Sequence, residues 1–199
     1  QVTGLTNTST AGSYTSEISV TGLLAPLLYS GITPAVSLTG PLSLTSPGSL
    51  TWAATLNGAN QSAFDTSSGD QRFSLDDETN TGAGWHITVA ATTFTTGART
   101  LANSGTFSLN GSLSSATATT APPATCVVSC TPPGNATTYP AAITTAATLP
   151  TPAFVFDAPV STGRGPALIS PVGWWIAIPA STRAGSYTST VTIAVVSGP

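Results

Sequence analysis

Apolar and polar residues alternate along several segments of this chain. The cleanest segment is WHITVAA, residues 85–91, in which Trp85, Ile87 and Val89 fall on one side. Residues 187–195 repeat the pattern, with mostly Thr on the polar side. A period of two predicts β-strands, and weaker versions predict more of them at residues 17–24, 35–45, 49–56, 106–113, 154–156 and 174–178.

No segment carries a sustained apolar repeat of helical period, so the sequence predicts an all-β fold. Short strands separated by Gly, Pro, Asn and Asp favour an antiparallel β-sandwich of the Ig-like kind. We expect residues 34–199 to form this domain and residues 1–33 to be an N-terminal extension. Residues 114–152 are rich in Pro and Thr, and predict a long connection that is either a surface loop or an arm contacting a neighbouring subunit.

The sequence AGSYTS occurs twice, at residues 11–16 and 184–189, each time before an alternating segment. Two strands of one domain could simply share a favourable local sequence. Alternatively, the first copy is an exchanged strand, with Tyr14, Ile18 and Val20, that pairs with the sheet edge of a neighbouring molecule. Repeated head to tail, that contact would build a filament.

Charge is scarce: 6% of the 199 residues are charged, against about a quarter in ordinary soluble domains. Four Arg and no Lys cannot form the basic stripe that a nucleic-acid interface needs. Anionic membrane surfaces are disfavoured for the same reason, and no apolar run is long enough for membrane insertion. A hydroxyl-rich surface with little charge repulsion suits glycan coats and close-packed lattices.

The two cysteines, Cys126 and Cys130, are close enough in sequence to predict a small disulfide loop in an exported protein. A metal site would need further ligands, and the single histidine, His86, is distant in sequence. The chain begins at Gln1 without Met, which we interpret as a mature product after signal-peptide removal, with a trimmed expression product as the alternative. Possible glycosylation sequons begin at Asn7, Asn60, Asn110 and Asn135.

Candidate chemistry is sparse, and we expect no catalytic residues. Nucleophilic catalysis would need His86 as its base, but the alternation puts His86 on the solvent-facing side of its strand, and no G-x-S-x-G turn is present. The acidic group Asp76, Asp77 and Glu78 is either a solvated loop or a weak candidate for structural calcium, the one cofactor considered.

The tryptophans are expected mainly in the core. Trp174 and Trp175 are adjacent, so on a strand they must point to opposite faces. We therefore expect one of them to face outward, as a carbohydrate platform or a subunit contact.

Two segments resemble a known family. Residues 76–94, DDETNTGAGWHITVAATTF, are similar to the first signature of WxL-type cell-surface domains of Gram-positive and related bacteria, and residues 178–199 resemble their closing segment. The motif positions are Trp85 and Ile87, then Trp174, Trp175 and Ile176, with Ile in place of the family's Leu. The resemblance spans roughly residues 40–199 and implies a secreted, non-catalytic β-sandwich held non-covalently at the cell envelope, often on peptidoglycan.

Together these observations predict an extracellular, cell-surface protein without enzymatic activity. Its expected partner is either a cell-wall polymer or neighbouring copies of itself in a filament or surface layer. An enzyme acting on wall glycans is the third and least favoured alternative.

Overall fold

The computed structural model describes residues 40–101 and 106–198, and within these ranges the regular elements are all β-strands. The predicted N-terminal extension lies outside the described residues. In chain order the strands are β1 (Leu42–Thr45), β2 (Gln61–Phe64), β3 (Phe73–Asp77), β4 (Trp85–Thr92), β5 (Phe107–Asn110), β6 (Ala124–Cys126), β7 (Ala141–Ile143), β8 (Thr145–Ala146), β9 (Ala153–Ala158), β10 (Gly165–Ile169), β11 (Gly173–Ile178) and β12 (Val191–Ser197).

The strands form three sheets that are almost entirely antiparallel. One has the order β1-β3-β10-β6 and the second β2-β11-β5-β7. The third has the order β12-β4-β8, with β9 also paired to β4; β8 is the parallel exception. For the residues that the structure describes, the prediction of an all-β fold built on antiparallel sheets is confirmed.

One core joins the three sheets in a sandwich-like arrangement. Phe73 of β3, Trp174 of β11 and Trp85 of β4 are all at most 1% exposed and belong to the same apolar cluster. Aromatic rings link its parts: Trp85 stacks on Phe156 at 5.5 Å, and Phe107 stacks on Trp174 at 5.7 Å. Such pairs contribute about 0.5–1.5 kcal/mol each beyond their burial.

Residues 49–56 do not form the strand that their alternation predicted. Backbone groups of this segment are hydrogen-bonded to side chains and not to a neighbouring strand. The Thr51 amide donates to Asp65 Oδ2 at 2.6 Å, and the Gln61 side-chain amide donates to the Thr55 carbonyl at 3.0 Å. The apolar alternation survives as one half-buried anchor, Trp52, which packs against the core.

The Pro/Thr-rich segment 114–152 is only partly the connection that we expected. It contains β6, β7 and β8, each of which is an edge strand of a different sheet. Its prolines lie outside these strands, where no ladder amide is required. The prediction failed because short edge strands need few consecutive residues of strand-forming type.

Within the described ranges, no helix is long and apolar enough to cross a membrane.

Candidate functional site

Trp85 and Trp174, one tryptophan from each WxL-like motif, lie in the centre of the core. Trp85 is fully buried in β4, and its indole N–H donates to the Gly163 carbonyl at 2.8 Å. Trp174 is fully buried in β11 and donates to the Asp70 carbonyl at 2.9 Å. Ile87 and Ile176 are buried in the same cluster. Each indole ring therefore buries its apolar surface in the core, and its N–H group is hydrogen-bonded within the domain.

The expectation that one of the tryptophan pair faces outward is wrong. Trp175 points away from Trp174, as the strand geometry requires, yet it is only 6% exposed. Its ring lies 5.1 Å from that of Phe64, and its N–H donates to the Ser112 carbonyl at 3.0 Å and to Asn110 Oδ1 at 3.2 Å. The loop after β5 folds over this face of β11, so Trp175 is not available as a carbohydrate platform.

The fourth tryptophan, Trp52, joins the same network from a segment without regular structure. Its N–H donates to the Trp174 carbonyl at 3.0 Å, and its ring meets Phe94 and Phe107 edge-on. The alternation of residues 49–56 marked Trp52 as an apolar position, but it gave no sign of this contact.

His86 is not on a solvent-facing surface, contrary to the prediction. It is 8% exposed because Phe154, on the neighbouring strand β9, covers its ring at 4.3 Å between centroids. The buried Nδ1 atom has no hydrogen-bond partner among the described residues.

The acidic group does not converge on one point. Asp77 is buried and accepts hydrogen bonds from the amide and the hydroxyl of Thr79, at 3.0 and 2.6 Å. Desolvation, with smaller contributions from Glu78 and Asp77, raises the pKa of Asp76 above its ordinary value. Across residues 40–101 and 106–198, no three His, Cys, Asp or Glu side chains group closely enough to hold a metal ion. The calcium hypothesis gains no support from this geometry.

The predicted disulfide is confirmed. Cys126 ends β6 and bonds to Cys130, with the two Cα atoms 5.5 Å apart. The bridge closes a short loop whose tip exposes Val127 and Val128, at 60% and 63%. The Val127 amide donates to the Pro166 carbonyl at 3.0 Å, which continues the β6–β10 pairing by one residue.

The sequons occupy different environments. Asn60 is exposed, and Asn135 is half-buried with its side chain bonded to Tyr139 and Thr137. Asn110 is fully buried, and its amide nitrogen donates to the Ser115 and Ala116 carbonyls. A glycan on Asn110 is incompatible with this folded state. Asn7 lies outside the described residues.

The second AGSYTS copy leads the chain into β12 along the segment that follows β4. The amides and carbonyls of Thr188 and Thr95 bond reciprocally at 2.9 and 3.0 Å. The Ser189 hydroxyl donates to the Thr92 carbonyl at 2.6 Å, and the Thr190 amide donates to Thr92 Oγ1 at 2.8 Å. A groove of ≈ 580 Å³ runs beside these contacts, lined by Thr92, Thr93, Thr95, Thr100, Ala147, Thr188, Ser189 and Thr190.

The strand β12 has one paired edge and one open edge. It pairs with β4 along its whole length, and in the described part of the chain no strand pairs with its other side. The Thr92 amide donates to the Thr190 carbonyl, and the Gly198 amide donates to the Gly84 carbonyl, both at 2.9 Å. Because bonding residues alternate in an antiparallel ladder, the backbone groups of Val191, Ile193 and Val195 point away from β4 towards the open edge.

This open edge carries none of the features that usually protect one. The sequence of β12, VTIAVVS, has no charge, proline or glycine. The edge strands β1, β2, β6, β7 and β8 have only two to four residues each. The six-residue strand β9 is covered on its far side, where the Ala136 amide bonds to Asp157 O and the Tyr139 hydroxyl bonds to Val155 O. β12 is therefore the longest strand of the described domain that is hydrogen-bonded on one side alone, and β1 lies near it without pairing to it.

Sequence reasoning singled out the alternation of β12 but did not identify it as an edge. The residues proposed for strand exchange, Tyr14, Ile18 and Val20, lie outside the described residues. The sequence thus suggests a donor strand, and the structure supplies a candidate acceptor edge in β12.

Comparison with known proteins adds no relative: no family model, no curated protein and no solved structure matches this chain significantly.

Proposed function

We propose that this protein is an exported, non-enzymatic structural protein of the bacterial cell surface, and that its copies assemble by pairing β-strands at sheet edges. The observation that carries the proposal is the edge of the seven-residue strand β12 that no strand pairs with in residues 40–101 and 106–198. Exposed main-chain donors and acceptors on a long edge are a template for adding another strand.

Two further properties support this function. With 6% charged residues, copies can approach one another without a large electrostatic cost. The Cys126–Cys130 disulfide fits the oxidising conditions outside the cytoplasm.

We further propose that the domain is an Ig-like sandwich of the WxL type. Trp85, Trp174, Ile87 and Ile176 all pack in the core, which gives the motif positions a structural role. Ile can fill such a buried aliphatic position as well as Leu, because the two side chains have the same volume. Attachment to the envelope would then use a surface other than the tryptophans.

Sedimentation velocity and negative-stain electron microscopy of the full-length, disulfide-intact protein test the assembly. We expect oligomers or filaments whose size grows with protein concentration. The variant Thr192→Lys places a charge on the open edge and should reduce assembly. Ser62→Lys, on the short edge strand β2, is the matched control and should leave assembly unchanged. A wild-type protein that stays monomeric at every concentration would contradict the proposal.

A second candidate function is attachment to a cell-wall polymer. The specific observation is the groove of ≈ 580 Å³, whose lining is almost entirely Thr and Ser. Hydroxyls and backbone groups without charge suit a neutral glycan chain.

Retention on purified peptidoglycan sacculi tests this second function. Thr100→Trp would fill the groove and should release the protein, whereas the exposed control Thr66→Trp should not. Retention no higher than that of a protein of matched charge would exclude the wall polymer as partner.

A further inference from the structure

We propose that the open edge of β12 is the acceptor for residues 17–23 of a second copy of this chain, which add to it as an extra strand. The inference rests on the proposed assembly function and names the two surfaces that meet. The acceptor is read from the structure, and the donor from the repeat and the alternation of the sequence.

The repeat connects the two surfaces. AGSYTS at residues 184–189 leads into β12, whose Val191, Ile193 and Val195 are half-buried and pack against the core. Aligning the two copies places Ile18 at the position of Val191 and Val20 at the position of Ile193. A strand with the same lead-in and the same alternation carries the side chains that suit a position in this sheet.

The acceptor edge has room beside it and an apolar side to cover. A groove of ≈ 340 Å³ lies between residues 46–50 and the first three residues of β12, and its lining includes Leu50, Val191 and Ile193. Leu50, like Val191 and Ile193, is only partly buried against the core. In an added strand, Ile18 and Val20 would lie on the core side and would complete the burial of the partly buried apolar side chains beside the groove. Ser19 and Thr21 would face solvent.

The connecting chain is long enough for the donor to reach another molecule. Residues 24–39 separate the donor from the start of the described domain and include Pro26 and Pro34, residues that favour extended backbone. Sixteen residues, if fully extended, span up to about 55 Å. That exceeds the roughly 40 Å diameter of a domain of this size. A donor on each copy and an acceptor on each copy make a head-to-tail contact, which propagates into a filament.

Disulfide trapping between separately prepared variants tests the pairing. One preparation carries Ser19→Cys and the other Thr192→Cys. Thr192 is exposed on β12, and in the proposed pairing Ser19 would face solvent on the same side of the sheet. Glu17→Cys and Thr21→Cys cover a register shifted by two residues. After mixing and mild oxidation, non-reducing electrophoresis should show covalent dimers, because facing Cβ atoms in paired strands come within disulfide range.

Ser62→Cys on β2 is the matched acceptor control, since it is exposed on another edge strand. Dimers as abundant with Ser62→Cys as with Thr192→Cys would overturn the assignment. The double variant Ser19→Cys/Thr192→Cys gives a second test at high dilution. An intramolecular disulfide in this variant, together with no cross-link between the mixed single variants, would also overturn the assignment. The donor would then pair with β12 of its own molecule.

Substitutions in the donor give an independent readout. Ile18→Glu should weaken association by about 100-fold, because its carboxylate would have to leave water at the apolar side of the groove. Ser19→Glu introduces the same charge on the opposite side and should change association little. Equal effects of the two variants would overturn the proposed orientation.

The outcomes separate this inference from the function on which it rests. If the wild-type protein forms oligomers but Thr192→Cys and Ser62→Cys cross-link equally with Ser19→Cys, the donor assignment is wrong, whereas the proposed assembly is still supported. If the wild type is monomeric and no trap forms, both proposals fail.

Discussion

At the scale of single residues, the indole N–H groups explain much of the core's specificity. Each of the four tryptophans donates to a backbone carbonyl of a distant segment. A buried N–H without a partner would cost about 1–3 kcal/mol, so each indole fixes both the position of its ring and the path of the loop that accepts from it. The loops at residues 70, 112 and 163 are held in this way.

Gly163 shows how tightly one of these loops is placed. It has a positive φ of 69°, and an added Cβ would lie 2.6 Å from Trp85 Nε1. We expect Gly163→Ala to lower the free energy of unfolding by about 3 kcal/mol or more, from backbone strain together with overpacking. Urea denaturation measures the change.

Gly97 provides the control, because it also has a positive φ, of 86°, but no atom lies near its missing Cβ. Gly97→Ala should therefore cost only the backbone strain, about 1–2 kcal/mol. Equal losses in the two variants would show that the contact with Trp85 is unimportant.

Tyr139 makes stability depend on alkaline pH. Its hydroxyl donates to the Val155 carbonyl at 2.7 Å, and burial raises its pKa to about 12. The folded state therefore holds the proton more tightly than the unfolded state, whose tyrosines titrate near pH 10. The stabilising contribution is complete below about pH 10 and is lost as the pH rises through about 12.

We expect Tyr139→Phe to reduce the free energy of unfolding by about 1–3 kcal/mol at neutral pH and to flatten this alkaline decline. Tyr187→Phe is the matched control, because the Tyr187 hydroxyl also donates to a carbonyl, that of Arg183, but at an exposed site. Denaturation at several pH values checks both variants. A decline that persists unchanged in Tyr139→Phe would assign it to another group.

At the scale of elements, strands of similar alternation end up in different environments. β4 is paired along both edges, with β12 and β9. One of its faces packs in the core, and Phe154 covers the face that carries His86. β12 has comparable alternation, but among the described strands it pairs with β4 alone. Pairing on one side or on two is what makes β4 a core strand and β12 a candidate docking edge.

The disulfide supports the short strand β6 at its end. Removing both sulfurs with Cys126→Ser and Cys130→Ser should lower the free energy of unfolding by about 2 kcal/mol, the chain-entropy value for so small a loop. The denaturation midpoint of the variant, compared with those of the oxidised and the reduced wild type, measures it. The reduced wild type should match the variant, and a variant as stable as the oxidised protein would show that β6 needs no covalent support.

At the scale of the whole molecule, the scarcity of charge should make assembly insensitive to salt. Strand addition uses main-chain hydrogen bonds and apolar side chains, and neither is screened by ions. We expect similar oligomer distributions at about 0.01 M and about 1 M salt, between which the Debye length falls from about 30 Å to about 3 Å. Sedimentation velocity at the two concentrations makes the comparison, and dissolution of the assembly at high salt would indicate a charge-driven contact.

The sequence alone determined the features that depend on neighbouring residues. Period-two alternation marked β4, β11 and β12, because side-chain direction along a strand is a local property. The spacing of Cys126 and Cys130 was enough to predict their bond. Alternation also predicted a strand at residues 49–56, which is wrong. A β-strand needs a neighbouring strand for its backbone hydrogen bonds, and alternation alone does not provide one.

Only the tertiary structure decided what lies over each face and beside each edge. Trp175 and His86 point away from the core, as alternation required, but the loop at residue 112 and the ring of Phe154 cover them. The open side of β12 is equally a matter of long-range pairing, since nothing in VTIAVVS distinguishes a strand with one neighbour from a strand with two. Local sequence sets the direction of a side chain, whereas contacts between distant segments decide whether that direction leads to solvent, to the core or to another molecule.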